Sequence, residues 1–70
     1  MKTYRWYGQE GLRFAFNDGW GVLGCIELRV DRWCCDVRGP AWHENTEAEA
    51  RTAVERVLAE RGWTPAGEGT

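Results

Sequence analysis

The 70 residues include no serine, one histidine, one methionine and two prolines. Without serine there is no serine hydroxyl for a base to activate, and His43 is the sole imidazole that would serve as that base. Long apolar runs are missing too: nothing approaches the roughly 18 residues of a membrane-crossing helix. The opening Met1-Lys2-Thr3-Tyr4-Arg5-Trp6 is polar and aromatic rather than a basic stretch followed by an apolar one. No secretory leader is read there, and a cytoplasmic location is expected. An excess of positive charge is also absent. Nine Lys and Arg stand against eleven Asp and Glu, for a net charge of −2. That balance argues against a chain whose main task is neutralising nucleic-acid phosphates.

Cysteine is sparse and poorly spaced for a disulfide framework. Cys25, Cys34 and Cys35 are an odd set, and neighbours on a strand point to opposite faces. Reduced thiols are expected, with one of Cys34 and Cys35 buried as a small hydrophobe and the other facing outward. Together with His43 they would make a zinc set, but no C-x-x-C pair is present to seed tetrahedral geometry, so neither a metal nor another cofactor is expected. His43 and Glu44 are adjacent and do not face each other, which removes them as an acid–base pair. Gly19, Gly21 and Gly24 spell G-x-G-x-x-G, yet a strand follows them where a nucleotide site needs a helix. The chain is not read as an enzyme.

Aromatic residues are what the chain has in plenty: five Trp, two Tyr and two Phe. Each buried ring removes roughly 150 to 250 Å² from water, which suits a chain too short to build a core from many aliphatics. A single domain is expected over residues 1–63, with 64–70, which contains Pro65, Gly67 and Gly69, as a disordered C-terminal tail.

Alternation supplies the strands. Thr3 to Tyr7 places Tyr4 and Trp6 on one face and Arg5 and Tyr7 on the other. Leu12 to Phe16 alternates most cleanly, and Leu12, Phe14 and Phe16 are expected to enter the core. Asn17-Asp18-Gly19 predicts a hairpin turn. In the long run from Trp20 to Val30, Gly21 and Gly24 predict a bulge or a sharp bend, after which Ile26, Leu28 and Val30 point inward. Asp31-Arg32 makes the next connection, and Trp33, Cys35 and Val37 point inward from the strand that follows. Ala41 to Asn45 is read as a loop.

Thr46-Glu47-Ala48-Glu49 fits a capping box and fixes the start of a helix at Thr46. Ala50, Ala53, Val54, Val57 and Leu58 form its apolar stripe, Glu47, Arg51, Glu55, Arg56 and Glu60 its solvated side, and Gly62 its C-terminal stop. The expectation is therefore an α+β fold, a three- to four-stranded antiparallel meander packed on one C-terminal helix, ββββα or βββα.

The βββα order and the stretch from Trp42 to Arg51, with Thr46, Glu49 and Ala50 in a T-x-x-E-A pattern, resemble HicB-type antitoxin domains over roughly Leu12 to Gly62. In size, acidity and compactness the chain is similar to small phage and mobile-element proteins, among them anti-CRISPR inhibitors. The second resemblance implies a non-enzymatic protein-binding inhibitor of a nucleic-acid-handling complex such as a CRISPR effector. The first implies an antitoxin domain; the residues themselves offer a further alternative, a nucleic-acid-binding sheet that uses Arg5, Arg13, Arg29 and Arg38 with Tyr7 for stacking.

With the helix on one side of the sheet, the other side is expected to carry the binding residues. Arg5, Tyr7, Arg13, Glu27, Arg29, Asp36 and Arg38 are assigned to it, with Cys25 and Cys34 outward beside them. Trp20 and Trp42, in or beside turns, are further candidate contacts, because arginine and large aromatics are favoured interface anchors. A protein partner is expected, no membrane, and direct nucleic-acid binding only as the alternative. A monomer and a homodimer paired through an edge strand are both compatible with the sequence.

Overall fold

A computed structural model describes residues 2–17 and 21–68. Its elements are β1 (Thr3–Gln9), β2 (Leu12–Asn17), β3 (Gly21–Arg29), β4 (Arg32–Asp36), β5 (Trp42–Glu44), α1 (Glu47–Glu60) and β6 (Thr64–Glu68). The strands form one six-stranded sheet in the order β5-β4-β3-β2-β1-β6. The five strands from β1 to β5 are an antiparallel meander, whereas β6 pairs parallel to β1. Because β5 and β6 are the two edges, α1 must carry the chain from one side of the sheet to the other, and in doing so it covers one face.

The α+β class and the single helix agree with the sequence reading; the strand count and the sheet's edges do not. Residues 42–44, read as a loop, form β5: Trp33, Cys34 and Cys35 of β4 lie opposite Glu44, His43 and Trp42. Residues 64–68, read as a disordered tail, form β6, with Thr64 opposite Thr3 and Pro65 opposite Tyr4. Proline hides a strand from a propensity argument, but an edge position tolerates its missing N–H. Residues 69 and 70 of that expected tail lie outside the described residues, as does most of the Asn17-Asp18-Gly19 turn.

The core lies between α1 and the sheet. Tyr4, Trp6, Ala15, Ile26, Trp33, Cys35 and Val37 are buried on the sheet side, and Ala50, Val54 and Leu58 on the helix side. Trp42, Val57 and Trp63 pack against this cluster from its margins. The register explains how the helix comes close enough to seal it. Ala15 lies opposite Trp6 on one side and Gly24 on the other. A Cβ on Gly24 would meet the Asp36 carbonyl oxygen at 3.0 Å and a Val54 methyl at 3.3 Å, so α1 rests where the sheet is thinnest. The predicted bulge is present: Phe16 pairs with Val22 while Ala15 pairs with Gly24, which shifts the register by one residue.

That arrangement inverts the expected face of β2. Leu12, Phe14 and Phe16 point away from α1, and Arg13 and Ala15 point toward it. Alternation identifies which residues share a face but not which face receives the helix. Here volume decides, since Phe14 or Phe16 at the position of Ala15 would hold α1 off the sheet. Two other inward expectations also fail. Leu28 shares the face of Ile26 yet is 46% exposed, and Val30 is fully exposed in the turn, with a φ of 59° that β-branched residues rarely adopt. The turn is Val30-Asp31 rather than Asp31-Arg32, because Arg29 pairs with Arg32.

The helix is delimited as its sequence specifies. The amide of Glu49 donates to Thr46 Oγ1 at 3.1 Å, and that hydroxyl in turn donates to Glu49 Oε1 at 3.0 Å. Gly62, at φ 87°, ends it: its N–H donates to the Ala59 carbonyl and that of Trp63 to the Leu58 carbonyl, the paired bonds of a Schellman cap. The charged side of the helix is less solvated than expected. Trp6 Nε1 donates to Glu55 Oε2 at 2.9 Å, the Arg51 guanidinium lies 5.1 Å from the Trp6 ring centroid, and Glu47 accepts from Arg13. Each of these residues satisfies or covers a group that the sheet presents at the margin of the core.

Candidate interaction surface

The face of the sheet opposite α1 is covered by no element among the described residues. Register sets its side chains in rows. Arg5, Phe16 and Val22 form one row, and Tyr7, Phe14, Cys25 and Asp36 the next. A third runs Gln9, Leu12, Glu27, Cys34 and His43. Phe14 and Phe16, with Tyr7 and Leu12 beside them, therefore make an apolar patch in the middle of the face, each of the four half-buried. The Tyr7 and Phe16 rings meet edge to face, 5.8 Å apart at 84°.

Charge surrounds the patch. Glu27 accepts from Arg29 Nε at 2.8 Å, an exposed pair of small energetic weight. Arg5 donates to the Ala66 carbonyl at 3.0 Å, tying the face to β6. Asp36 stands exposed at the end of β4. Burial, with Asp36 and Glu27 nearby, pushes the Cys25 thiol up, which keeps it protonated and a poor nucleophile. Cys35, under the helix, is pushed up to about 11 by burial and by neighbouring Glu44.

Of the residues assigned to this face from sequence, Arg5, Tyr7, Glu27, Arg29 and Asp36 are on it. Arg13 is not. With β2 inverted, it lies on the helix side, its Nε 3.0 Å from Glu47 Oε1. Trp42 is also on that side, packed at the edge of the core with its indole N–H donating to Glu44 Oε2 at 3.0 Å. Arg38 sits in the bend after β4, at φ 49°, and borders a shallow depression shared with Val22, Cys25 and Asp36. Trp20 lies outside the described residues. Phe14 and Phe16 were missed, and the small Ala15 between them was the signal that could have found them.

The three cysteines are free thiols, and His43 and Cys34 share the open face while Cys35 points beneath α1. Among the described residues no group of three or more His, Cys, Asp or Glu is arranged to hold a metal ion. A groove of about 340 Å³ beside the start of α1 is lined by Glu44, Ala48, Glu49, Thr52, Ala53 and Arg56, an open and mostly solvated wall. No helix among the described residues is long and apolar enough to cross a membrane. Compared with protein-family models, curated proteins and solved structures, the chain matches none of them.

Proposed function

We propose that the chain is a non-enzymatic protein-binding module whose interface is the open face of its sheet. One observation carries the reading: Tyr7, Phe14 and Phe16 form an aromatic patch that no described element covers, framed by Arg5, Glu27, Arg29 and Asp36. An apolar centre inside a polar rim is the anatomy of a recognition surface, and rings supply contact area at low cost in conformational entropy. The narrower form of the proposal is an inhibitor of a nucleic-acid-handling complex such as a CRISPR effector. Its support is the net charge of −2 and the outward Glu27 and Asp36, which suit a basic partner. Direct nucleic-acid binding is the weaker reading, since Arg13 is turned to the helix side and Arg29 is engaged by Glu27.

The test is capture from the cytosol of the source cell with immobilised wild-type chain, with Phe14→Asp, and with Thr52→Asp on the exposed side of α1. A protein retained by the wild type and by Thr52→Asp, but released by Phe14→Asp, is the expected result. A bound set that Phe14→Asp leaves unchanged would overturn the assignment of the open face. Oligonucleotide binding that weakens steeply with salt would replace this reading with the nucleic-acid one.

A further inference from the structure

The two edges of the sheet are held in different ways. β5 is anchored by Trp42, which packs against the core. β6 has no such anchor: Thr64, Pro65, Ala66 and Gly67 are all exposed, so none of them contributes a buried side chain. Its attachment is polar and runs along the edge of β1. The Thr64 amide donates to the Lys2 carbonyl at 2.8 Å, and Arg5 makes an exposed bond to the Ala66 carbonyl at 3.0 Å. Pro65 lies opposite Tyr4 but has no N–H, so that pairing is made by the amide and carbonyl of Tyr4, which face β6. Beyond it the ladder is interrupted by a shift of register between Tyr4 and Trp6, where Gly67 adopts a φ of 108°.

The residue before β6 is fixed without it. Trp63 packs against the core, its amide donates to the Leu58 carbonyl at 2.9 Å, and Lys2 Nζ lies 4.9 Å from its ring centroid. Lys2 Nζ also donates to the Arg61 carbonyl at 2.9 Å, which ties the end of α1 to the start of β1 independently of β6. The chain is therefore anchored up to Trp63 and unanchored from Thr64 onward. What β6 covers is backbone. With it in place the sheet ends in a strand interrupted by proline and glycine on one side and in a three-residue strand on the other, both poor templates for a further strand. Without it the edge would be β1, seven residues long and free of proline.

We propose that β6 is a detachable strap, which opens at the junction of Trp63 and Thr64 while the rest of the chain stays folded and so governs whether the edge of β1 is offered for strand pairing. Opening gives up a few exposed hydrogen bonds and returns backbone freedom to the strap, whereas the strands beneath α1 separate only with loss of the core. A segment with few buried contacts and solvent-exposed backbone bonds opens far more often than the whole molecule unfolds.

Amide hydrogen exchange of the full chain, read residue by residue by nuclear magnetic resonance in water and in low urea, tests this. The amides of Tyr4 and Thr64 exchange together, with protection at least about tenfold below that of Ile26 and Trp63 and with little dependence on urea, as a local opening does. Ala66→Pro, which removes the next N–H of β6, speeds exchange at Tyr4 by a further threefold or more, on the order expected for one lost backbone bond, and leaves the urea midpoint and the exchange of Ile26 unchanged. Protection of Tyr4 and Thr64 equal to that of Ile26, with the same urea dependence, would overturn the proposal. So would an Ala66→Pro chain that unfolds or has a lowered midpoint, since β6 would then open only with the whole fold, and so would one whose Tyr4 exchange is unchanged. Exchange of Trp63 in step with Thr64 would overturn the placement of the hinge.

Discussion

On the side of the sheet facing α1, Trp6, Ile26 and Cys35 are at most 2% exposed, and Val54 and Leu58 close over them. On the other side Tyr7, Leu12, Phe14 and Phe16 keep part of their surface in water. The second set is as apolar as the first, so hydrophobicity alone does not explain which was covered. What separates them is relief. The helix side is low at Ala15 and Gly24 and filled around them by Trp6 and Trp33, whereas the open side is raised at its centre by two phenylalanines. A rigid cylinder seats on the former, and the raised centre of the latter offers it no such seat.

The sharpest way to break this comparison is to truncate one ring on each face. Trp6→Ala should destabilise the chain by about 3 to 5 kcal/mol, and Phe14→Ala by only about 1 kcal/mol in the monomer, as read from urea unfolding. Equal losses would mean that the two faces are equivalent. Filling the low point is the next largest effect. Gly24→Leu should cost about 1 to 3 kcal/mol by levering α1 from the sheet, and it should expose the ring of Trp6 to fluorescence quenchers.

Titration reports on burial beneath the helix by another route. Because burial raises the Cys35 thiol from its ordinary 9.0 to about 11, the folded chain holds that proton at a pH where the unfolded chain has released it. The associated stability is fully present below about pH 9 and is lost as pH rises toward about 11. Thermal melts between those limits should show the decline, and Cys35→Ala should lessen it, the buried Tyr4 and the half-buried Cys25, both also raised, accounting for what is left. In the native state Cys35 should also resist alkylation.

Much of the fold was legible in the sequence. Thr46 and Glu49 named the helix start, Gly62 its end, and the spacing of Ala50, Val54 and Leu58 its buried stripe, because each signal acts within a few residues. Tyr4 and Trp6, and likewise Cys35 and Val37, were assigned to the correct face for the same reason. The edges were not legible: β5 is three residues long, and β6 contains Pro65 and Gly67, so each is a strand only because a neighbour offers a free edge. The side of β2 was decided by how closely α1 approaches Gly24, a contact between positions 30 residues apart in sequence for Val54. The candidate surface inherited that error. Tyr7, Glu27 and Asp36 were placed on it correctly, Arg13 was placed there wrongly, and the two phenylalanines at its centre were assigned to the core.

Two smaller effects sharpen the account. Val30→Asn should stabilise the chain by about 0.5 to 1 kcal/mol, because asparagine accepts the left-handed backbone of the β3–β4 turn and Val30 buries nothing there. Arg13→Ala should cost well under 1 kcal/mol, since its pair with Glu47 is partly solvated. It should leave association through the open face untouched, the opposite of what its sequence assignment implied.

The central claim is that Phe14 and Phe16 face away from the helix, and a nuclear Overhauser spectrum of the folded chain tests it most directly. Cross-peaks from the Phe16 ring to Tyr7, and from the Phe14 ring to the Cys25 β-protons, with none from either ring to the methyls of Ala50, Val54 or Leu58, are predicted. Cross-peaks joining Phe14 to Val54 would place the patch in the core and contradict the account.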